Sequence, residues 1–171
     1  MPDRFEPRLQ AIDQVLFDGV ADEARRSPRL RRHHNLHAEA DLVQRFINVL
    51  QPGTYVRPHC HRREKAGTGF ECFVVLQGAI GLLLFNSEGE MLGARRLEAA
   101  GPLRGIEVAE GTYHSLVALT PDAVMLEIKQ GPYLPATDKD FLEMFPREGT
   151  GEARRQEAAW RAMLVTAATP A

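Results

Sequence analysis

From Leu42 to Gln130 the chain is broken by turn residues into eight short strand-like runs, with no helical period between them. Phe46–Leu50 ends at Pro52-Gly53, and Thr54–His61 is followed by a polar, glycine-containing loop. Phe70–Gln77 meets Gly78, and Ala79–Phe85 meets Asn86-Ser87-Glu88-Gly89. Met91–Leu97, Gly105–Val108, Ser115–Leu119 and Ala123–Lys129 complete the set. Parallel strands need crossover connections, which such short gaps cannot supply, so the pattern predicts an antiparallel sandwich or barrel. At 171 residues, 44% of them apolar, the chain has material for one sizeable core and argues against two independent domains.

Segments of different texture flank this β region. Residues 1–41 read as an N-terminal helical arm: Ile12, Val15, Leu16 and Phe17 form an apolar patch, and Ala21–Arg26 is helix-forming before Ser27-Pro28 stops it. Arg25, Arg26, Arg29, Arg31 and Arg32 then lead into His33-His34-Asn35-Leu36-His37, a basic stretch expected to be a solvated connection. Residues 42–130 form the β unit. Residues 131–171 are expected to be irregular up to a helix over Ala153–Val165, whose Trp160, Met163 and Leu164 can dock on the body or on another subunit.

Charge and cysteine content exclude several classes. Lys plus Arg is 21 against 23 for Asp plus Glu, a net charge of −2, which argues against nucleic-acid binding through bulk positive charge. The longest apolar stretch, Phe73–Phe85, is 13 residues interrupted by Gln77, too short to span a bilayer as a helix. The opening MPDRFEPRLQ lacks the apolar run of a signal peptide, and Cys60 and Cys72 form no disulfide framework. The expectation is a cytoplasmic protein with reduced thiols and a small-molecule ligand.

His59-Cys60-His61 falls on an expected strand, where alternate side chains share a face, so both imidazoles point the same way. Glu71 opens the next strand and His114 stands at the start of a later one, so the four converge only if the sheet folds back on itself. Three neutral imidazoles and a carboxylate suit one divalent first-row ion such as Fe, Mn, Ni or Zn, with positions left for water or substrate. On the same parity Tyr55 and Arg57 are expected to line this pocket, and Cys60 and Cys72 to point away as buried structural thiols.

The spacing around these residues strengthens the reading. Gly53, five residues, His59-x-His61, then Glu71, six residues and Gly78 resembles the first cupin motif, and Gly111-Thr112-Tyr113-His114 resembles the core of the second. Nine residues separate His61 from Glu71, more than the motif usually allows, which implies a loop insertion over 62–70 and leaves Glu64 as a competing carboxylate. Ala109 and Ala118 stand where the second motif commonly has proline and asparagine.

More broadly the chain resembles the WbuC-type family of cupin-fold metalloproteins. The resemblance runs through Asn35-Leu36-His37, Val43-Gln44-Arg45, the Pro52–His61 and Glu71–Gly78 blocks, Gly111–His114, Gly131-Pro132-Tyr133 and Asp138-Lys139-Asp140-Phe141. It implies an all-β fold, a single cupin-type double-stranded β-helix (jelly-roll) barrel with short terminal helices, holding a metal at His59, His61, Glu71 and His114. Barrels of this kind pair, so a homodimer is expected.

For the ligand, Arg57 offers a bidentate clamp for a carboxylate or phosphate. Asn35 and His37 are expected at the barrel mouth. Candidates for a general base are His37 and Glu127, although Glu127 and Lys129 also read as a solvent-facing or interface pair. The family name implies a metal-dependent enzyme, an isomerase or epimerase acting on a sugar or sugar nucleotide in surface polysaccharide metabolism. A non-heme iron oxygenase and a non-catalytic metal or small-ligand binding protein are the alternatives.

Overall fold

The computed structural model describes residues 9–63, 67–132 and 139–166. In chain order the elements are α1 (Gln14–Arg26), β1 (Arg31–Asn35), β2 (Val43–Leu50), β3 (His59–Cys60), β4 (Glu71–Gln77) and β5 (Ala79–Phe85). They continue as β6 (Met91–Glu98), β7 (Gly105–Val108), β8 (Tyr113–Ala118), β9 (Ala123–Gln130), β10 (Asp140–Phe141) and α2 (Gly151–Thr166). Two antiparallel five-stranded sheets face each other, ordered β1-β2-β9-β4-β7 and β10-β3-β8-β5-β6. This is the jelly-roll arrangement.

Side chains of alternate parity fill the space between the sheets. Phe73 and Val75 of β4, Ala123 and Met125 of β9, Leu116 and Ala118 of β8, and Ile80 and Leu82 of β5 form one buried cluster. Followed along the strands, these rows change character at one end. Glu71 precedes Phe73 on the same face of β4, His114 precedes Leu116 on β8, and Glu127 and Lys129 follow Met125 on antiparallel β9. One end of the interior is therefore closed by hydrocarbon and the other is polar.

The helices cover the outer faces. Asp13 caps α1, its carboxylate accepting the Leu16 N–H at 3.0 Å. Val20, Ala21 and Ala24 bury against Ile47, Val49 and Val124, while Ile12 and Val15 of the expected patch stay exposed. On the other side Trp160 and Leu164 of α2 pack on Leu83, Phe85 and Val117, so this helix docks on its own barrel, with Met163 exposed. Glu157 of α2 is buried and accepts the N–H of Gly53 at 3.1 Å. Gly53 turns at φ +96°, a conformation glycine adopts without a Cβ penalty.

Three expectations need correction. The basic stretch is solvated but not merely a connection: Arg31–Asn35, exposed except at Arg31, pairs along its length with β2, from Arg31↔Leu50 to Asn35↔Phe46. A polar five-residue edge strand carries no apolar alternation, and only backbone pairing reveals it. Of the run Thr54–His61, only His59–Cys60 is strand, so alternation does not extend back to Tyr55. Lastly, Glu127 and Lys129 do not form a solvent-facing pair. Val124 and Leu126 face α1, and the opposite parity carries Glu127 and Lys129 inward beside Met125.

Candidate metal centre

His59, His61, Glu71 and His114 meet at the polar end, with one potential ligand atom from each all within 4.8 Å of one another. His59, Glu71 and His114 stand at strand starts, and His61 follows directly on β3. His59 of β3 is the register partner of His114 on β8, so the rings lie together, 4.7 Å between centroids. Two residues on, His61 returns to the same face, 5.1 Å from His59. Glu71 enters from the opposite sheet, its Oε1 3.1 Å from His61 Nε2 and its Oε2 2.9 Å from His114 Nε2. All four residues are at most 3% exposed.

The backbone fixes how the rings turn. Nδ1 of His59 lies 2.9 Å from the Arg57 carbonyl oxygen, and Nδ1 of His114 lies 2.9 Å from that of Thr112. A carbonyl only accepts, so Nδ1 carries the proton and Nε2 presents its lone pair to the cluster. For His114 that lone pair faces a carboxylate oxygen: two acceptors at contact distance, with no donor aligned on buried Glu71 Oε2 among the described residues. A shared cation reconciles them. Three imidazoles and one carboxylate are the donor set a divalent first-row ion takes, and the site fits one.

The electrostatics agree. Burial, then the charge of Lys139 and the neighbouring His114, holds His59 well below its ordinary pKa, leaving the neutral ring a ligand must be.

The other sequence candidates divide between the site and its surroundings. Glu127 lies inside, its Oε2 accepting from Asn48 Nδ2 at 2.8 Å and its Oε1 3.7 Å from Lys129 Nζ. Burial and the adjacent Glu71 carboxylate push its pKa up to about 7. Arg57 is a pocket-wall residue, held by the Phe145 carbonyl at 3.1 Å and Glu143 at 3.0 Å and set over the Phe141 ring. Tyr55 is elsewhere. Its ring stacks on Trp160 and its hydroxyl donates to the Pro146 carbonyl at 3.0 Å, so it packs α2 onto the barrel instead of lining the pocket.

Nδ1 of His37 lies 2.8 Å from the Arg45 carbonyl oxygen and 3.0 Å from the Arg45 N, and the ring stands edge-on to Phe46 at the mouth of the first sheet. Asn35, at the end of β1, is exposed. Cys60 is buried, with burial pushing its thiol pKa up; Cys72 is half-buried, and both are free thiols. Glu64 lies outside the described residues, as do Tyr133 and Asp138. The described ends of the insertion fold back on Glu110, whose carboxylate accepts the N–H groups of Arg63 and Gly67.

Sequence reasoning missed the wall beside the cluster. Phe141 is the register partner of His59, so both project from the same face of the second sheet, their rings 5.9 Å apart. Beyond it Lys139, Arg147 and Glu148 join Arg29, Arg31 and Arg57 around a cavity of about 200 Å³. The available signal was the density of arginine at 25–32, read as a solvated connection.

The model of a domain of unknown function (DUF6016) matches residues 12–97, half of the chain, including His59, His61 and Glu71. The chain belongs to this family. No curated protein matches it. Among solved structures it is similar to the capsular polysaccharide assembling protein CapF from Staphylococcus aureus, at 18% identity and a TM-score of 0.50 over 64% of this chain and 31% of that one. A second CapF structure, with the inhibitor 3-isopropenyl-tropolone, gives a TM-score of 0.53. KdgF from Halomonas sp. matches at 23% identity and a TM-score of 0.45, over 62% of this chain and 83% of that one. The DUF6016 chain thus spans about a third of CapF and most of KdgF. These neighbours are cupin-fold proteins, and the CapF likeness shows the same fold here, with a buried His/Glu cluster fit for a divalent metal.

Proposed function

We propose that the chain is a metal-dependent enzyme acting on a small polar substrate, a sugar or sugar nucleotide of surface polysaccharide metabolism. In this reading His59, His61, Glu71 and His114 hold one divalent transition-metal ion. The observation that carries it is the convergence of four buried donor atoms within 4.8 Å, two of the rings oriented by backbone carbonyls. The substrate class rests on the WbuC-type resemblance, supported by the fold shared with CapF, a capsular polysaccharide assembling protein.

A divalent ion so held supplies Lewis acidity toward a carbonyl or hydroxyl oxygen. The chain's own groups do the rest. Glu127, steadied by Asn48 and beside Glu71, holds or releases a proton at its carboxyl in the polar end of the barrel. Lys129 lies beside Glu127, and its ammonium sits over the Phe46 ring at 5.5 Å, fixing a positive charge next to that carboxyl. Phe141 and Arg57 form the wall against which a substrate is oriented. We assign the catalytic proton to Glu127 in preference to His37, whose Nδ1 is taken up by the backbone of Arg45.

The same reading has the chain working in the cytoplasm, where its two thiols stay reduced, and as a homodimer formed through exposed strand edges such as β1 and the outer strand β6 with its exposed Leu92. No described helix is long and apolar enough to cross a membrane.

The test is elemental analysis of protein purified without added metal or chelator, then an activity screen with the ion found. Near-stoichiometric manganese, nickel or zinc with turnover of a sugar nucleotide supports the proposal. Iron with substrate-dependent oxygen uptake replaces it with an oxygenase. No metal, even after reloading, discards it.

A further inference from the structure

The cavity beside the cluster is lined chiefly by cations. Arg29, Arg31, Arg57, Lys139 and Arg147 line it against one carboxylate, Glu148, with Val56 and Phe141 as the apolar part of the wall. Its residues come from the turn before β1, β1 itself, the segment before β3, and the stretch from Lys139, just before β10, to Glu148, before α2. Charges brought together from such distant positions repel one another unless something anionic sits among them.

Glu148 already shows how an oxyanion is held there. Its Oε1 receives Arg29 Nε at 3.0 Å and Arg31 Nη1 at 2.5 Å, while its Oε2 receives one Nη2 from each arginine at 3.0 Å. Two planar guanidinium forks thus grip one carboxylate, the geometry in which arginine recognises carboxylates and phosphates. The Arg31 side chain is 19% exposed, further held by the Tyr55 carbonyl at 3.0 Å, so its fork is preset by the fold. Glu148 pairs with Arg29 and Arg31. Arg57 is held at the wall by Glu143, a side chain 77% exposed, and Arg147 stands at the exposed rim.

We propose that this cavity is a binding site for a small oxyanion, a phosphate or carboxylate group, held by Arg147, Lys139 and Arg57 beside Arg31, with Glu148 as an internal competitor that tempers the affinity. A cavity of about 200 Å³ accommodates such a group. The site stands on the cavity alone and binds its anion with or without metal in the neighbouring cluster. Since Phe141 forms one wall and is the partner of His59, an anion seated here anchors a molecule whose other end reaches the cluster.

The experiment is calorimetric titration of the full-length protein with sodium phosphate and, separately, with sodium succinate, before and after chelator treatment. We expect saturable one-site binding that survives chelation. Arg147→Gln at the exposed rim and Arg31→Gln inside each weaken it by about tenfold or more, the usual loss for a charge-assisted contact. Glu148→Gln tightens it, because both forks are freed, and Arg95→Gln on β6 leaves it unchanged. Tighter phosphate assigns a phosphate ester, and tighter succinate a carboxylate. Binding that disappears with the metal, or that ignores Arg147→Gln and Glu148→Gln alike, overturns the proposal. So does the absence of binding to both probes in the wild type and in Glu148→Gln.

Discussion

Two polar assemblies adjoin through Phe141, the register partner of His59 and a wall of the cavity, and they are built in opposite ways. In the His59, His61, Glu71 and His114 cluster, His59, Glu71 and His114 are set by cross-strand register at strand starts and His61 follows directly on β3, and the cluster is almost wholly excluded from water. The cationic cavity next to it is assembled from a turn, an edge strand and the long segment between β10 and α2, and it opens to solvent. In the first, chain geometry decides where donors point. In the second, ion pairs between residues 119 positions apart, such as Arg29 and Glu148, decide it. A site of the first kind is rigid and intolerant of substitution, whereas one of the second is adjustable, and its parts can be removed one at a time.

The largest expected effect tests the first half of this contrast. His114→Ala or His59→Ala removes most bound metal by elemental analysis, because the remaining donors lose both a ligand and its register partner. His33→Ala on β1 retains it. Equal metal in all three proteins would break the assignment. Glu71→Gln weakens retention more than Glu64→Gln, and the reverse order moves the carboxylate into the insertion.

Next in size is a substitution that separates the two assemblies. Trp160 stacks on Tyr55 and meets Phe145, so it braces the segment that carries Arg147 and Glu148. Trp160→Ala costs about 3–5 kcal/mol by denaturant unfolding, the usual loss for a buried large aromatic. It should also weaken phosphate binding while leaving metal stoichiometry intact under native conditions. Loss of metal alongside would mean that the strand-borne cluster leans on α2 after all. A smaller, reversible effect comes from the ion itself: metal at 100 times its dissociation constant stabilises the fold by about 2.7 kcal/mol, so chelation lowers the melting temperature of wild type but not of His114→Ala.

The contrast also explains what could be read in advance. Strand starts announce themselves through alternation and through glycines at turns; Gly78, for instance, turns at φ +69° with Thr120 packed where a Cβ would stand. The metal cluster therefore followed from spacing, with Glu71 chosen by its distance to Gly78. Parity failed where the backbone is not strand, at Tyr55. It also failed where the inward face is polar, at Glu127 and Lys129, because charge was taken as a sign of solvent. The cavity was illegible for a deeper reason. Arg31 and Glu148 share no periodicity, and only the path of the folded chain brings them together.

The smallest expected effect isolates the ion pairs that hold the second assembly. Burial alone would raise the Glu148 carboxyl, but Arg29 and Arg31 outweigh it and hold the group below its ordinary value of 4.5. A carboxyl lowered in the folded state contributes stability that is fully present above its unfolded value and is lost as pH falls through the folded one. Wild type should therefore exceed Glu148→Gln in melting temperature at neutral pH, by a modest margin for a partly exposed group. That margin should close as the pH falls below the ordinary carboxyl range. Other acid-sensitive groups, Glu71 among them, act on both proteins and cancel in the difference. A margin independent of pH would mean that Glu148 contributes packing and not charge, and that Arg29 and Arg31 are set by the backbone. The cavity would then be as preorganised as the cluster beside it, and the contrast between the two assemblies would collapse.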